Sequence, residues 1–484
     1  MARKDSAGLT GEGAPSPCTG VAARSATRGG GRGLGLRLEL GGALAPPLAA
    51  GAGVSRAELG EPLRALEGLL PSLLAEAAPS GFLRVLRRRA LYRALGASVA
   101  RWRRRRLDDL VHIGIGGSAL GAELLLRALA HPLHNALPAR RRRGPRVHFV
   151  DNVDPERLAA LLEELEPART LVHVVSKSGS TVETAAGWQV VRGAFERSAP
   201  RLRWRDHAVF TAGHGALREL GERLGVEVLE FPEDVGGRFS ALTASGLFTP
   251  AVAGVDAAAA VAGARALLAR MEKLPAAENP ALVSAALIHA LAGKGRDVQV
   301  LMPYADALEP LARWYVQLAA ESLGKRRGDR GVGVTPLPAR GTTDQHSQVQ
   351  LFVEGPEDKL VTFVRVERGG SLPIPGGEPA GYLEGVDLGA LLRAEQQGTE
   401  VALARAGRPS TAWVLPRLAA APLGALIVAL ELQVAAQASL LGVNAYDQPG
   451  VEAGKVAAFA LLGRRGYEDE AARIAASAPP RWTL

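Results

Sequence analysis

One cysteine, Cys18, is all that the 484 residues contain. No disulfide can close within the chain, and no thiolate cluster can hold a metal. Such usage suits a reducing compartment, so the expected location is cytoplasmic. Clusters of histidines and carboxylates at the short spacings of a metal site are missing too, and no metal site is expected. Aromatic residues are scarce at 5%, while glycine and alanine abound. Small residues suit close packing of helices on sheets and tight loops. An uninterrupted apolar run of membrane length is also lacking. The most apolar stretch, 422–442, is broken by Glu431, Gln433 and Gln437, which makes it a buried core helix rather than a span. Arg3 and Lys4 precede no apolar segment, so no signal peptide is expected.

Acidic charge is in deficit, and the net charge is +9. Much of the excess lies in "RWRRRR" at 101–106 and "RRRR" at 140–143. Neither a recognition helix nor zinc-ligand spacing accompanies these runs. They read as solvated surface arginines, with neither nucleic acid nor membrane as a partner.

What is present is alternation. Strand-like runs occur at 110–115, 147–151, 171–175, 207–211 and 226–231, with helical patterns between them. One helix begins near Ser118. Another has Asp154 as its N-cap and Pro155 in its first turn, and a third follows Thr181. Strands alternating with helices imply a parallel sheet covered on both faces, with ligands at the carboxyl ends of the strands. After a Gly- and Ala-rich join at 236–280, a similar region follows. Its strands are expected at 297–304, 359–367 and 411–416, with helices at 308–324 and 346–355 and two more to finish. The chain therefore divides into a loosely held tail (1–35), a helical region (36–106), one α/β domain (107–250), a second with C-terminal helices (251–465) and an extension (466–484).

Two strand-to-helix junctions carry chemistry. "SKSGST" at 176–181 places Ser176, Lys177, Ser178, Ser180 and Thr181 where a helix begins. Free backbone N–H groups and the positive helix end make such a junction an anion site. A helix cap needs one hydroxyl, and four hydroxyls plus a lysine exceed that need. "GIGGSALG" at 114–121 repeats the construction with Gly117 and Ser118, yet lacks both the dinucleotide spacing and the Walker lysine. Two anion-ready loops on one sheet suggest a small phosphorylated ligand.

These blocks, with "DVGGRFSALTASG" (234–246), "WYVQLAAESLGK" (314–325), "GTTDQHSQVQLFVEGP" (341–356) and "NAYDQPGVEAGK" (444–455), resemble the glucose-6-phosphate isomerase family of bacterial type. All six occur in the family's order, over roughly residues 105–460. The resemblance implies two tandem sugar-isomerase (SIS-type) α/β/α sandwich domains, each with a mainly parallel sheet. It implies interconversion of glucose 6-phosphate and fructose 6-phosphate, without a cofactor, in a homodimer. Carried over by position, Ser176, Lys177, Ser178 and Thr181 hold the phosphate, and Gly117 and Ser118 lie beside the sugar. Glu321 is the proton-transfer base and Arg238 the active-site arginine, while Gln317 neighbours the phosphate. His346 and Lys455 assist ring opening near Gln448, with His346 arriving from the partner subunit. One departure is small: Ser180 stands where many relatives carry threonine or another residue, and hydroxyl character is retained.

The chemistry needs these residue types. Aldose–ketose isomerisation moves a proton between C2 and C1 through an enediolate, which a carboxylate can mediate. An arginine can hold the developing oxyanion. Ring opening needs an acid and a base, roles open to an imidazole and an ammonium. Gln317 lies one helical turn before Glu321, so both occupy one helix face. Each residue has an ordinary alternative. Arg238 could pair with Glu233 or Asp234, and Lys455 with Glu452. A dual phosphoglucose/phosphomannose isomerase and a non-catalytic phosphosugar sensor are the rival functions.

Overall fold

The structure, a computed structural model, describes residues 34–49 and 51–477. The tail assigned to 1–35 lies almost wholly outside the described residues. The chain enters with a short strand, β1 (Arg37–Glu39), followed by helices α1 (Arg56–Ala65), α2 (Leu69–Leu74) and α3 (Arg89–Arg103). Ser55 and Glu58 form a reciprocal capping box at the start of α1. Regular alternation then begins: β2 (Asp109–Ile113), α4 (Leu120–Leu129), β3 (Arg146–Val150), α5 (Pro155–Glu164), β4 (Thr170–Ser176), α6 (Val182–Ser198), β5 (Ala208–Ala212), α7 (Ala216–Leu224) and β6 (Glu227–Glu230). Every residue of β2, β4 and β5 is buried, as expected of strands covered on both faces. The Asp154 carboxylate caps α5 by accepting the Arg157 N–H at 2.9 Å.

The expected join at 236–280 is a packed helical layer rather than a linker. It contains α8 (Ala244–Val252) and α9 (Ala257–Met271), and α10 (Pro280–Ala292) follows with Asn279 as its cap. Alanine and glycine serve close helix contact there instead of loop freedom. The second half runs β7 (Val298–Pro303), α11 (Glu309–Leu323), a hairpin of β8 (Lys325–Arg327) and β9 (Arg330–Val332), then β10 (Thr335–Pro338), α12 (Val349–Glu354), β11 (Lys359–Arg368), α13 (Leu388–Arg405) and β12 (Ser410–Arg417). The helix expected at 346–355 is confined to α12, because Thr343–His346 forms a separate 3-10 turn before it. Among the described residues three helices follow β12 instead of two: α14 (Ala420–Leu441), α15 (Glu452–Leu461) and α16 (Glu468–Ser477).

Two sheets result. The first is wholly parallel, in the order β3-β2-β4-β5-β6. The second runs β10-β7-β11-β12-β1 and is parallel except for β1, which pairs antiparallel with β12. Leaving aside the small hairpin, the two orders are the same topology. β7, β10, β11 and β12 repeat β2, β3, β4 and β5, and β1 takes the edge that β6 holds in the first sheet. In each sheet the order reverses between the first and third strands, β2/β4 and β7/β11. Helix α14 sits in the main core, buried at every residue from Pro422 to Ala438. It is long and apolar enough to cross a membrane, yet 89% of its most apolar window is buried inside the protein. Gly263 of α9 and Gly424 of α14 make that packing possible. A Cβ at either would stand 1.9 or 2.0 Å from a carbonyl oxygen of the other helix, Ala421 or Ala260.

Candidate active site

The two anion-ready loops leave neighbouring strands at the same edge of the first sheet. Residues 114–118 follow β2 and residues 177–181 follow β4, and those strands pair in register from Asp109↔Thr170 to Ile113↔Val174. The first loop is held from below. His112 donates from Nε2 to the Ser118 carbonyl at 2.7 Å, and its Nδ1 lies 2.9 Å from the Thr249 hydroxyl. His173 reaches the same hydroxyl at 2.9 Å and Thr211 Oγ1 at 2.8 Å. One proton arrangement satisfies the whole chain with both rings neutral. Thr249 donates to His112, His173 donates to Thr249, and Thr211 donates to His173. Burial pushes His112 down to about 4 and His173 well below its ordinary value, so neutrality holds. These strand histidines serve the core, as their positions suggest.

In the second loop the hydroxyls organise one another. Ser176 Oγ accepts the Gly179 N–H at 3.0 Å and lies 3.2 Å from Thr181 Oγ1, while Ser178 Oγ accepts from the Ser180 N–H and hydroxyl. Thr181 makes no side-chain cap on α6. The ordinary helix-cap role is therefore not what these hydroxyls perform, and among the described residues the first amides of α6 have no side-chain acceptor. Lys177 Nζ donates to the Glu233 carbonyl at 2.6 Å, tying the loop to the segment that leads into Arg238. Burial lowers its ammonium from the ordinary value, against the opposing pull of Glu233 and Asp234.

Arg238 is the centre of the other cluster. It lies in a 3-10 turn, Gly237–Phe239, and is only 4% exposed. Its Nε donates to Ser322 Oγ at 2.8 Å. Nη1 donates to Glu321 Oε2 at 3.2 Å and to Gln448 Oε1 at 2.8 Å. Nη2 donates to the carbonyls of Asp447, at 2.8 Å, and Ala445. Burial lowers its guanidinium from the usual value and the Glu321 carboxylate opposes that, so it remains a cation. Asp234, the local partner considered for it, instead binds Arg84 and Arg88 of the N-terminal region. The other Glu321 oxygen accepts from Gln317 Nε2 at 3.2 Å, the contact expected one helical turn apart on α11. Both oxygens are thus oriented, while the Glu321 side chain stays 31% exposed.

The glycines join this cluster to the first loop. A Cβ on Gly117 would stand 2.2 Å from the Gly237 carbonyl carbon and 2.6 Å from the Arg238 nitrogen. A Cβ on Gly116 would meet Gln317 Nε2 at 2.7 Å. Ser240 Oγ reaches the Gly117 carbonyl at 3.2 Å, closing the same seam. Gly117, Gln317, Arg238, Glu321 and Gln448 therefore meet around one point at the carboxyl edge of the first sheet, with Ser118 next in the loop.

Two candidates stand apart within the chain. His346 ends an exposed turn and makes no side-chain hydrogen bond among the described residues. Lys455 is 53% exposed on α15 and pairs with Glu452 at 2.8 Å, the ordinary alternative considered for it. Other contributors carry no separate signal in the sequence. Ser322 and Ser240 orient Arg238 and its seam, and Lys325 pairs with Asp447 at 2.7 Å beneath Gln448. All lie within the motif blocks, so the blocks mark them without separating their roles. Among the described residues no group of histidine, cysteine and carboxylate side chains is arranged to hold a metal ion.

Fold and site first define a class: a phosphosugar-isomerase type of protein, built from two tandem sugar-isomerase α/β sandwiches with a carboxylate–guanidinium pair beside an anion-ready loop. The profile of the family described as phosphoglucose isomerase matches residues 97–366 and 399–477. The chain belongs to that family. It is 46% identical to a glucose-6-phosphate isomerase of Rubrobacter xylanophilus over 417 residues, 84% of this chain and 95% of that protein. Among solved structures, a hypothetical protein of Thermus thermophilus superposes with a TM-score of 0.79 at 38% identity, covering 88% of this chain and 99% of that one. A glucose-6-phosphate isomerase of Chlamydia trachomatis superposes at 0.68 and 26% identity, covering 81% and 77%.

Proposed function

We infer that this chain is a glucose-6-phosphate isomerase, interconverting glucose 6-phosphate and fructose 6-phosphate by ring opening and proton transfer through an enediolate. The reaction belongs to glycolysis and gluconeogenesis, in the cytoplasm that single-cysteine usage suits. The observation that carries the reading is the Glu321–Arg238 pair, each Glu321 oxygen held by a separate donor while the side chain stays 31% exposed.

In this reading Ser176, Ser178, Thr181 and the amides of α6 hold the phosphate, with Lys177 anchoring that loop to Glu233. Glu321 takes the proton from C2 and returns it to C1. Arg238 faces the oxygen on which charge develops. It is fixed by its contacts before substrate arrives, so little reorganisation is needed at the transition state. Gln317 Oε1 is buried without a partner among the described residues, an acceptor that a sugar hydroxyl can satisfy. A second copy of the chain completes the site. His346 is exposed and makes no side-chain hydrogen bond among the described residues, so it can serve a partner's site in a homodimer, and Lys455 needs only to leave Glu452, an exposed pair of small worth. A non-catalytic sensor is disfavoured, because binding alone gives no reason to orient both oxygens of Glu321.

The test is a coupled assay with fructose 6-phosphate and mannose 6-phosphate side by side, with and without chelator. Chelator-resistant turnover of fructose 6-phosphate alone is the expected result. Comparable use of mannose 6-phosphate would assign dual specificity, and silence with both would leave the sensor.

A further inference from the structure

The second sheet has a crevice of its own where its strand order reverses. β7 and β11 are neighbours, with β10 beyond one and β12 beyond the other. Open α/β sheets bind ligands beyond the carboxyl ends of the strands at such a point, and the first sheet places 114–118 and 176–181 at the corresponding one. A cavity of about 490 Å³ opens there, lined by Tyr304 after β7, Arg365 and Arg368 on β11, Gly370 beyond it, and Arg393 and Gln396 on α13. That volume lies in the range of small-molecule sites. The β11–α13 connection, residues 369–387, is long for a compact domain, as functional loops often are.

Among the described residues two arginines at the cavity are left without a carboxylate in ion-pair contact, although the Glu367 carboxylate lies within electrostatic reach of Arg368. Arg365 is matched by Glu39 at 2.7 Å, and Glu367 by Arg37 at 2.7 Å. The Asp387 carboxylate is taken up by the Ser371 hydroxyl and the amides of Leu372, Gly389 and Ala390. Glu400 accepts from Gln396 at 3.0 Å, and burial raises it toward its neutral form. Arg368 and Arg393 keep no carboxylate partner among the described ion pairs. Among the described residues each has only a long bond to a carbonyl, Arg368 Nε to Pro416 at 3.5 Å and Arg393 Nη1 to Glu367 at 3.4 Å. Two guanidinium groups with unused donors thus line one small cavity. Guanidinium forks suit phosphate and carboxylate alike. The pair of charges favours phosphate, because a phosphate monoester carries about two negative charges at neutral pH.

We propose that this crevice binds a small organic phosphate, separately from the site at Glu321. The proposal stands independently of the isomerase reading. The probe is labelled inorganic phosphate, in equilibrium dialysis against the full chain, the Lys177→Ala variant and the Arg368→Ala/Arg393→Ala variant. A phosphate site that persists in Lys177→Ala and is weakened roughly tenfold or more in the double variant is expected, as befits charge-assisted bonds. Isomerase turnover of the double variant should stay within about twofold of the parent, as for substitutions away from a working site. Equal phosphate binding by parent and double variant would overturn the proposal, as would complete loss of binding in Lys177→Ala. If the alanine pair does not fold, judged by melting and circular dichroism, Arg368→Gln/Arg393→Gln keeps the side-chain stems and is read by the same criteria.

Discussion

The carboxyl edges of the two sheets share a topology and differ in what their loops bring. At the first edge, short glycine-rich turns lie directly against the Arg238 turn and against α11 of the second half. Backbone meets backbone there, and a carboxylate, a guanidinium and two amides converge. At the second edge, the loop after β11 is long, and its cavity is lined by arginines from one strand and one helix. The repeated scaffold offers the same crevice twice. Which crevice carries chemistry is decided by the side chains the loops place beside it. A close seam fixes geometry for proton transfer, whereas an open arginine-lined cavity suits retention of an anion.

The largest expected effect separates the two edges outright. Glu321→Gln keeps the shape and the Arg238 contact but removes the proposed base, so turnover should fall about a thousandfold, in the middle of the usual range for acid–base groups. Phosphosugar binding should be largely kept. Steady-state kinetics with isothermal titration of fructose 6-phosphate reads both numbers. Near-normal turnover would move the chemistry away from the first edge and erase the contrast.

The first edge is the more legible in sequence. Its strands can be placed to within a few residues because alternation and β-branched runs mark them locally, and Asp154–Pro155 announces a helix start that the structure keeps. "GIGGS" and "SKSGST" are contiguous, so their junctions can be read directly. The second edge has no such word. Arg365, Arg368 and Arg393 are spread over a strand and a helix, and only the packing of α13 back onto the sheet brings them to one cavity. β1 is three residues long, too short for any period to show, and its place depends on β12 from the far end of the chain. Ser322 is invisible as a partner of Arg238 for the same reason: nothing local predicts a contact between residues so far apart in the chain.

A smaller effect asks whether the first edge separates holding from reacting. Lys177 binds the Glu233 carbonyl and sets the loop, while Glu321 and Arg238 lie elsewhere in the cleft. Lys177→Ala should raise KM by roughly tenfold and lower kcat much less, because phosphate is held alike in ground and transition states. An unchanged KM would remove the 176–181 loop from the binding site. A matching fall in kcat would show that holding and reacting are one function at this edge.

The smallest effect concerns what lies beneath each edge. Under the first, His112, Thr249, His173 and Thr211 form a neutral chain that supports the Ser118 carbonyl. Under the second, Gln299, Tyr315, Gln433 and Ser284 form a buried network whose amides, phenol and hydroxyl do not gain protons in mild acid. The buried Glu431 of α14, raised well above its ordinary value, is favoured rather than penalised as pH falls. His112 ionises at about 4 in the fold and near 6.5 when exposed, so folding favours its neutral form. The stabilisation is therefore complete above about pH 6.5 and is lost as pH falls toward 4. At pH 5.5 the unfolded or opened form already gains a proton that the closed form refuses, a cost of roughly 1 kcal/mol for this ring. Amide exchange should register it unevenly. Between pH 7 and 5.5, after correction for the intrinsic chemistry, amides of β2 and β4 should lose several-fold in protection while those of β7 and β11 hold. His112→Gln and His173→Gln, which keep a hydrogen-bonding side chain but cannot gain the proton, should flatten that difference. Equal loss in both sheets would mean that acid acts on the molecule as a whole, and the histidine chain would then be packing alone rather than a titrating support for the loop above it.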